Sequence, residues 1–399
     1  MNRSVQIAAR PTAVVRCVLT LTLILVSVQR LMAADPVAPP PTGPYRVGTL
    51  SLPMEDAQRT DPIARNGSHR RLMVRFWYPT AVTGECQYAE YSSPKAWSYL
   101  SSISGIPQIQ VGTNSCRAAV AALGKHPVIV ATHGYTGMLT DYTFLFEELA
   151  SRGYVVASVA HTYESTAVEF PDGNLITSVF GSHFLPDSVR MDNQSLAFVR
   201  SVRLRDLQFV TREIERLNAV IGGPFFKRLD LERVGIMGHS LGGEAALASL
   251  EELSSLKAAA ILDPVIFQSS TRGTAKPVLL LTEGRTGWSS RECRLWNNLS
   301  GTRLAVNFAG AGHLAPSDAI WLGGYVPEVS VETGSIGPAE TVTALRRYLT
   351  AFFDTYLAGK PRTSLLNGVS TEYANVLVTT GGRSLCENNG RVIARRESF

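Results

Sequence analysis

Residues 238–242 read Gly-His-Ser-Leu-Gly, and the serine at their centre is the strongest candidate in the chain for covalent chemistry. An apolar run at 234–237 precedes them, and a stretch rich in small residues at 243–247 follows. This pattern predicts a strand that turns sharply into a helix, where glycines relieve the crowding around an exposed hydroxyl. The start of that helix would aim backbone N–H groups at the same point. The pattern favours Ser240 as a nucleophile over an ordinary glycine-rich loop.

A serine nucleophile requires an imidazole to take its proton and a carboxylate to hold that imidazole. His313 is the only histidine after Ser240, and it lies in a glycine-lined loop beyond a predicted strand. Catalytic groups of open α/β sheets gather at the carboxyl ends of strands, so this position predicts His313 as the base. Two acids, Asp263 and Glu283, end predicted strands, and both satisfy the order Ser, acid, His. Spacing alone does not decide between them.

Backbone amides must stabilise the oxygen that becomes negative in a tetrahedral intermediate. The amide of Leu241, next after the serine, is one predicted donor. The other is the amide of Tyr135, in the Thr-His-Gly-Tyr-Thr-Gly segment at 132–137 that follows a predicted strand. His133 and His239 are interpreted as packing residues without a chemical step. The chain has no Cys or His spacing typical of a metal site and no phosphate-binding glycine loop, so we expect no metal and no cofactor.

The elements that must position these residues follow from the apolar periodicity of the chain. Short apolar segments alternate with amphipathic ones, which predicts an α/β fold, a mostly parallel central sheet with helices on both faces. The predicted strands are 47–52, 71–78, 127–132, 154–160, 233–238, 258–262, 278–282 and 304–308, and the predicted helices are 142–151, 194–217, 241–253 and 339–357.

The first residues of the chain form a separate unit. Residues 1–34 combine arginines, a short apolar stretch and a final Ala-Ala, which predicts a secretory signal peptide; a membrane anchor is the alternative, but the stretch is short for a span. The proline-rich segment 35–44 is expected to be an extended linker, and 45–399 a single domain. Loss of the four arginines before residue 34 takes the formal charge from +5 to +1, so the composition does not favour nucleic-acid binding.

Two long excursions interrupt the strand-helix alternation, at 84–124 and 165–192, and are expected to form walls or a lid over the site; surface decoration is the alternative. After removal of the signal peptide four cysteines remain, an even number typical of disulfides in an exported chain. Three pairings are open, and free buried thiols remain a further alternative. We favour Cys86 with Cys116 and Cys293 with Cys386, because the first pair closes the shortest loop.

Together these features resemble the α/β-hydrolase superfamily, and more closely its platelet-activating-factor acetylhydrolase branch with the dienelactone-hydrolase-like bacterial relatives. The resemblance covers about 45–357. In that branch the triad acid follows the strand directly after the nucleophile's helix, so the resemblance implies Asp263, with Glu283 as its neighbour and runner-up. The segments that carry the resemblance are 43–48, 72–79, 132–134, 155–158, 205–210 and 238–243.

The resemblance implies a serine esterase that cleaves short-chain carboxylic esters through an acyl-enzyme on Ser240, and the predicted signal peptide implies that it is secreted or periplasmic. Its expected partners are small-molecule or lipid esters, with room for transient contact with a membrane surface; neither nucleic acid nor a given oligomeric state is indicated. The alternatives are a lipase or a cutinase-like polyester hydrolase, more distantly a peptidase, and an inactive binding protein on the same fold. The last is disfavoured because every catalytic role has a candidate residue.

Overall fold

A ten-stranded sheet runs through the part of the chain that the structure, a computed structural model, describes. The described residues are 35–105, 108–182, 192–267, 272–284, 288–325, 332–368, 372–373, 375–380 and 386, so the predicted signal peptide at 1–34 lies outside them. The strand order is β12-β11-β10-β9-β8-β4-β5-β2-β1-β3, and the strands from β11 to β5 are all parallel to one another. The predicted fold class, a mostly parallel sheet with helices, is confirmed.

The bounds of the elements are as follows. The strands are β1 (Val47–Thr60), β2 (His69–Pro79), β3 (Ser115–Arg117), β4 (His126–Thr132), β5 (Val155–Ala160), β6 (Ala167–Glu169), β7 (Leu175–Thr177), β8 (Leu229–His239), β9 (Leu256–Leu262), β10 (Val278–Glu283), β11 (Arg303–Phe308) and β12 (Val376–Thr380). The helices are α1 (Pro94–Ser104), α2 (Thr143–Ser151), α3 (Asn193–Ala219), α4 (Leu241–Glu252), α5 (Ser290–Asn298), α6 (Ala319–Leu322) and α7 (Pro338–Tyr356), with a 3-10 turn at Ser364–Leu366.

Each predicted strand and helix is present, with ends shifted by a few residues. The largest difference is in β1, which continues to Thr60 as a hairpin with β2 although six of its fourteen residues are exposed. Helix α5 was missed because it is strongly polar, yet its start carries a readable signal, since Ser289 and Glu292 form a reciprocal capping box. Strand β12 was also missed, and it pairs antiparallel with β11 at the sheet edge.

The core lies on both faces of the sheet, and strand β4 shows how the sequence divides between them. Ile129 and Ala131 belong to one buried apolar cluster, whereas Val128 and Val130 belong to the other. This alternation is the two-residue period of a strand that is covered on both sides. Helices α2 and α7 cover the first face, and α3, α4 and α5 cover the second. The helices cover the two faces, so the site is expected at the end of the sheet where the carboxyl termini of β4, β8 and β9 lie.

The proline-rich segment 35–44, which the sequence predicts to be an extended linker, forms no helix and packs along the domain. Ala38 is fully buried and pairs with Gly112, and the carbonyl oxygens of Pro39 and Pro40 accept hydrogen bonds from Arg346 at 2.7 and 2.8 Å. Because prolines leave their carbonyl oxygens available, a guanidinium can hold the part of the segment that follows the backbone bridge to Gly112. Packed chain therefore begins before residue 45, where the sequence placed the start of the domain.

The two excursions contact each other. The first contains α1 and the edge strand β3, and the second contains the β6–β7 hairpin. Lys95 at the start of α1 donates a hydrogen bond to the carbonyl oxygen of Gly173 in that hairpin at 2.6 Å. Residues 183–191 of the second excursion lie outside the described residues, and the lid role stays a prediction.

The structure has both favoured disulfides. Cys86 is bonded to Cys116 and Cys293 to Cys386, with Cα separations of 5.6 and 5.7 Å. The structure therefore has the pairing that the sequence analysis favours. Among the described residues no helix is long and apolar enough to cross a bilayer.

Candidate active site

Ser240 stands at the corner between strand β8 and helix α4, with backbone angles φ 55° and ψ −124°. A Cβ on Gly242 would come within 2.3 Å of the carbonyl oxygen of His133, and one on Gly238 within 2.3 Å of that of Gly242. Only glycine fits these two positions, because a real Cβ does not approach backbone atoms so closely. The flanking glycines of the motif therefore allow the tight turn that presents the Ser240 hydroxyl.

The structure brings Ser240, His313 and Asp263 together. His313 Nε2 is 3.0 Å from the hydroxyl oxygen of Ser240, and its Nδ1 is 2.5 Å from a carboxylate oxygen of Asp263. Asp263 is buried at the end of β9, whereas the side chain of His313 is 35% exposed. With Nδ1–H donating to the carboxylate, Nε2 is left as the acceptor for the serine proton.

Glu283, the second acid that the sequence left open, lies at the end of the neighbouring strand β10. Its backbone N–H donates to the other carboxylate oxygen of Asp263 at 3.2 Å. The backbone of Glu283 therefore helps to hold the Asp263 side chain. Of the two candidate acids, it is Asp263 whose carboxylate contacts His313 Nδ1.

The pKa of His313 is raised above that of an ordinary histidine. Burial by itself would lower the pKa, but the hydrogen bond and charge of Asp263, with the charges of Glu283 and Glu332, more than offset burial. A raised pKa makes the imidazole a stronger proton acceptor from a serine hydroxyl.

Loop 132–137 approaches the serine from strand β4. A Cβ on Gly134 would lie 3.6 Å from the Ser240 Cβ and 3.2 Å from His239 Nδ1, so the loop backbone runs directly beside the nucleophile. The amide of Tyr135 belongs to the next peptide. Leu241 is the first residue of α4, where backbone N–H groups have no acceptor within their helix. The two residues predicted to donate thus follow directly after Gly134 and after Ser240 in the chain.

A buried ion pair holds loop 132–137. Arg203 of helix α3 pairs with Glu164 at 2.8 Å, and both side chains are at most 1% exposed. The guanidinium also donates to the carbonyl oxygen of His133, and to that of Gly134 at 2.8 Å. The Glu164 carboxylate accepts from the amide of Thr136 at 2.6 Å, where φ is +54°. The loop is therefore fixed by charge-assisted hydrogen bonds at three of its six residues.

This arrangement also orients the Tyr135 amide. In a trans peptide the C=O of one residue and the N–H of the next point in opposite directions. The carbonyl oxygen of Gly134 accepts from Arg203, from the amide of Gly137 at 3.0 Å and from His133 Nδ1 at 2.7 Å. The N–H of Tyr135 therefore points away from this cluster of donors.

The two histidines interpreted as packing residues make specific hydrogen bonds. His133 Nε2 is 2.7 Å from the Ser165 hydroxyl. His239 lies between the hydroxyl of Tyr142 and the carbonyl oxygen of His313, at 2.8 Å from each. Arg203, Glu164 and Tyr142 were missed from the sequence, because nothing in their local patterns distinguishes them from ordinary helix and loop residues.

The part of the site that the structure describes holds no group of ligands that would suit a metal. Within the described ranges no three or more His, Cys, Asp or Glu side chains converge on a common point. The chemistry available to the residues beside Ser240 is proton transfer, nucleophilic attack and hydrogen bonding by amides.

Comparisons with known proteins show which proteins this chain is similar to. A family model described as platelet-activating factor acetylhydrolase, isoform II, matches residues 33–219. A probable 1-alkyl-2-acetylglycerophosphocholine esterase from Arthroderma benhamiae is 25% identical over 382 residues, covering 85% of this chain and 92% of the relative. Cutinase est2 from Thermobifida alba is 27% identical over 153 residues, 38% of this chain and 39% of the relative.

A solved structure extends the comparison to the fold. The ferulic acid esterase from Streptomyces cinnamoneus superposes with a TM-score of 0.72 at 32% identity, covering 87% of this chain and all of that one. The fold and these relatives define a class: the chain belongs to the α/β-hydrolase superfamily and resembles its platelet-activating-factor acetylhydrolase branch. It is a serine esterase, with cutinase-like as well as acetylhydrolase-like relatives.

Proposed function

We propose that this chain is an exported esterase that cleaves short-chain carboxylic esters through an acyl-enzyme on Ser240. The observation that carries the proposal is the hydrogen-bonded series from Asp263 through His313 to the Ser240 hydroxyl, at 2.5 and 3.0 Å. Export is supported by the signal-peptide pattern at 1–34 and by the two disulfides.

The reaction follows from these contacts. Ser240 Oγ attacks the carbonyl carbon of the ester while His313 Nε2 takes the hydroxyl proton. The amides of Leu241 and Tyr135 donate to the oxygen that becomes negative, and Asp263 stabilises the imidazolium. The C–O bond to the alcohol then breaks, and the alcohol leaves with the proton from His313. Water, deprotonated by His313, attacks the acyl group, and the proton returns to Ser240 as the carboxylic acid departs.

An apolar cluster beside the nucleophile supports an uncharged acyl group. The side chains of Tyr135 and Leu241, whose amides are the proposed donors, are buried in the cluster with Phe180, Leu196 and Val199. An apolar environment next to the proposed donors favours an alkyl or aryl portion of the substrate over a charged one.

Labelling by a fluorophosphonate probe tests the nucleophile. We expect the wild type to become labelled and Ser240→Ala to remain unlabelled. Ser254→Ala is the matched control, because that serine is exposed just beyond α4, and it should label like the wild type. Persistent labelling of Ser240→Ala would exclude the assignment.

Substrate comparison tests the ester class. Rates on p-nitrophenyl esters from acetate to palmitate should fall as the acyl chain lengthens; a preference for long chains would favour the lipase or cutinase-like alternative, for which the Thermobifida alba match provides the support. An acetylated phospholipid and methyl ferulate, chosen from the names of the Arthroderma benhamiae and Streptomyces cinnamoneus proteins, would then identify the leaving group and acyl group.

A further inference from the structure

A chain of hydrogen bonds joins loop 132–137 to the loop that carries His313, which spans 309–314. The amide of Gly134 lies 3.3 Å from the phenol oxygen of Tyr142. That oxygen is 2.8 Å from His239 Nδ1, and His239 Nε2 is 2.8 Å from the carbonyl oxygen of His313. The two loops are distant in sequence, and this chain passes between them directly behind the nucleophile.

The chemistry of the two end groups fixes the direction of the chain. The carbonyl oxygen of His313 can only accept, so Nε2 of His239 must carry the hydrogen. In a neutral imidazole Nδ1 is then the acceptor, and the Tyr142 hydroxyl donates to it. The phenol oxygen in turn accepts the N–H of Gly134. One proton arrangement therefore satisfies all four groups.

The surroundings keep this arrangement in place. Burial, together with the charge of Asp141, holds the pKa of Tyr142 well above its usual range, so its hydroxyl remains a donor. His239 is 1% exposed, which disfavours a charged ring. A Cβ on Gly134 would come within 3.2 Å of His239 Nδ1, so the close approach depends on glycine at that position.

His239 also contacts the proposed base through its ring. The ring centroids of His239 and His313 are 4.6 Å apart, with planes inclined at 39°. His313 is thus held from three sides: its ring by Asp263, its ring face by His239, and its backbone carbonyl by His239 Nε2–H.

We propose that His239 is a positioning residue which, as the neutral Nε2–H tautomer and together with Tyr142, couples the amides of loop 132–137 to the base His313. The inference rests on the proposed function of Ser240 and His313. His239 touches neither the substrate nor the transferred proton. It acts by keeping loops 132–137 and 309–314 at a constant separation, so that the amide donors and His313 are positioned around the same ester carbonyl group.

The first test removes one atom from the chain. Tyr142→Phe retains the ring and deletes the hydroxyl, so we expect kcat to fall about tenfold, the size of one hydrogen bond, with KM nearly unchanged. Tyr154→Phe is the matched control: it also loses one hydrogen bond of a buried tyrosine, to Asp354 at 2.7 Å, but at the opposite edge of the sheet. It should keep the wild-type kcat. A wild-type kcat in Tyr142→Phe would overturn the proposal.

The second test measures whether a glutamine at position 239 retains activity and whether the effects of changing Tyr142 and His239 are coupled. A glutamine can accept with its oxygen and donate with its nitrogen, so His239→Gln should retain more activity than His239→Phe. The double variant Tyr142→Phe, His239→Phe should lose less than the product of the single losses, because both changes break one chain. Equal losses for His239→Gln and His239→Phe, or fully multiplicative losses, would contradict coupling.

The third test does not depend on catalysis. ¹⁵N NMR of the histidine rings, with the His239 signals assigned by their absence from His239→Gln, should show the Nε2–H tautomer at neutral pH. An Nδ1–H tautomer or a charged ring would refute the chain. Since this signature is read in the resting enzyme, it separates a failure of the coupling from a failure of the proposed esterase mechanism, which would appear as an unlabelled wild type.

Discussion

Loop 132–137 and loop 309–314 lie on opposite sides of Ser240 and are held by different means. The first is buried, and the ion pair of Arg203 with Glu164 fixes its backbone. The second is exposed or half-exposed, and backbone hydrogen bonds hold it, including Gly312 N–H to Thr333 and Leu314 N–H to Glu332, both at 2.9 Å. One side of the site is built with charges in the core, and the other with main chain near the surface.

The difference corresponds to the two tasks proposed for these loops. Amides that stabilise a developing negative charge contribute most when they are fixed before the reaction and shielded from water. A base must exchange protons with an alcohol and then with water, so it must be reachable. We therefore expect changes on the buried side to reduce stability and activity together, and changes on the exposed side to reduce activity alone.

The largest effect is expected at the acid. Asp263→Asn retains the side-chain shape and, like Asp, tolerates the φ of +38° at this position, but it favours the wrong tautomer of His313. We expect kcat to fall about 10⁴-fold, the size known for this change in Ser-His-Asp triads, while the melting temperature changes little. Steady-state kinetics and thermal unfolding measure the two quantities.

Glu283→Gln is the control for that experiment, because Glu283 is the other acid in sequence order. Its kcat should stay within about tenfold of the wild type. A large loss in Glu283→Gln together with a small one in Asp263→Asn would reverse the assignment of the acid.

A smaller effect, on stability, is expected from breaking the buried ion pair. Arg203→Met leaves Glu164 charged and without its guanidinium in the core, which should cost about 3–5 kcal/mol of unfolding free energy. Urea unfolding measures this cost. Arg216→Met on the same helix breaks an exposed pair with Glu213 and should cost less than about 1 kcal/mol.

The double variant Arg203→Met, Glu164→Gln sharpens this prediction. It removes both charges, so it should recover part of the stability that Arg203→Met loses, while the loss of activity should persist because the carbonyl oxygens of His133 and Gly134 still lack the Arg203 guanidinium. Equal costs for Arg203→Met and Arg216→Met would show that the buried side is not held in the manner described.

The smallest effect concerns pH. The proposed base works as the neutral ring, so activity falls as pH drops through the pKa of His313; because that pKa is raised, the acid limb should lie above the ordinary histidine value of about 6.5. Glu283→Gln removes one of the charges that raise it, so the limb should move to lower pH, by less than about one unit. Glu340→Gln, an exposed change on α7, should leave the limb in place.

The sequence predicted the sheet and the candidate residues because both follow local rules. Apolar alternation located β4 and β8, and the spacing of glycines around Ser240 located the turn. Asp263 and Glu283 could not be separated, since each ends a parallel strand; the choice depends on which strand lies next to β8, and this is a property of the whole sheet.

The residues that hold the site could not be found in this way. Arg203 looks like any charged residue of a long helix, and its partner Glu164 lies 39 positions away in a loop. Burial of a charge is decided by tertiary contacts that leave no local pattern. The contacts of Tyr142 and His239 also leave no local pattern, because they form only after strands β4 and β8 have paired.

The backbone angle of Ser240 has a consequence for how this protein can change over time. A side chain at φ 55° and ψ −124° costs roughly 1–3 kcal/mol that glycine would not incur. Stability therefore favours glycine at position 240, whereas the proposed chemistry requires serine. Under selection for stability alone, we expect the serine at this position to be lost first. In active variants with higher thermal stability, we therefore expect the added free energy of unfolding to come from substitutions at other positions.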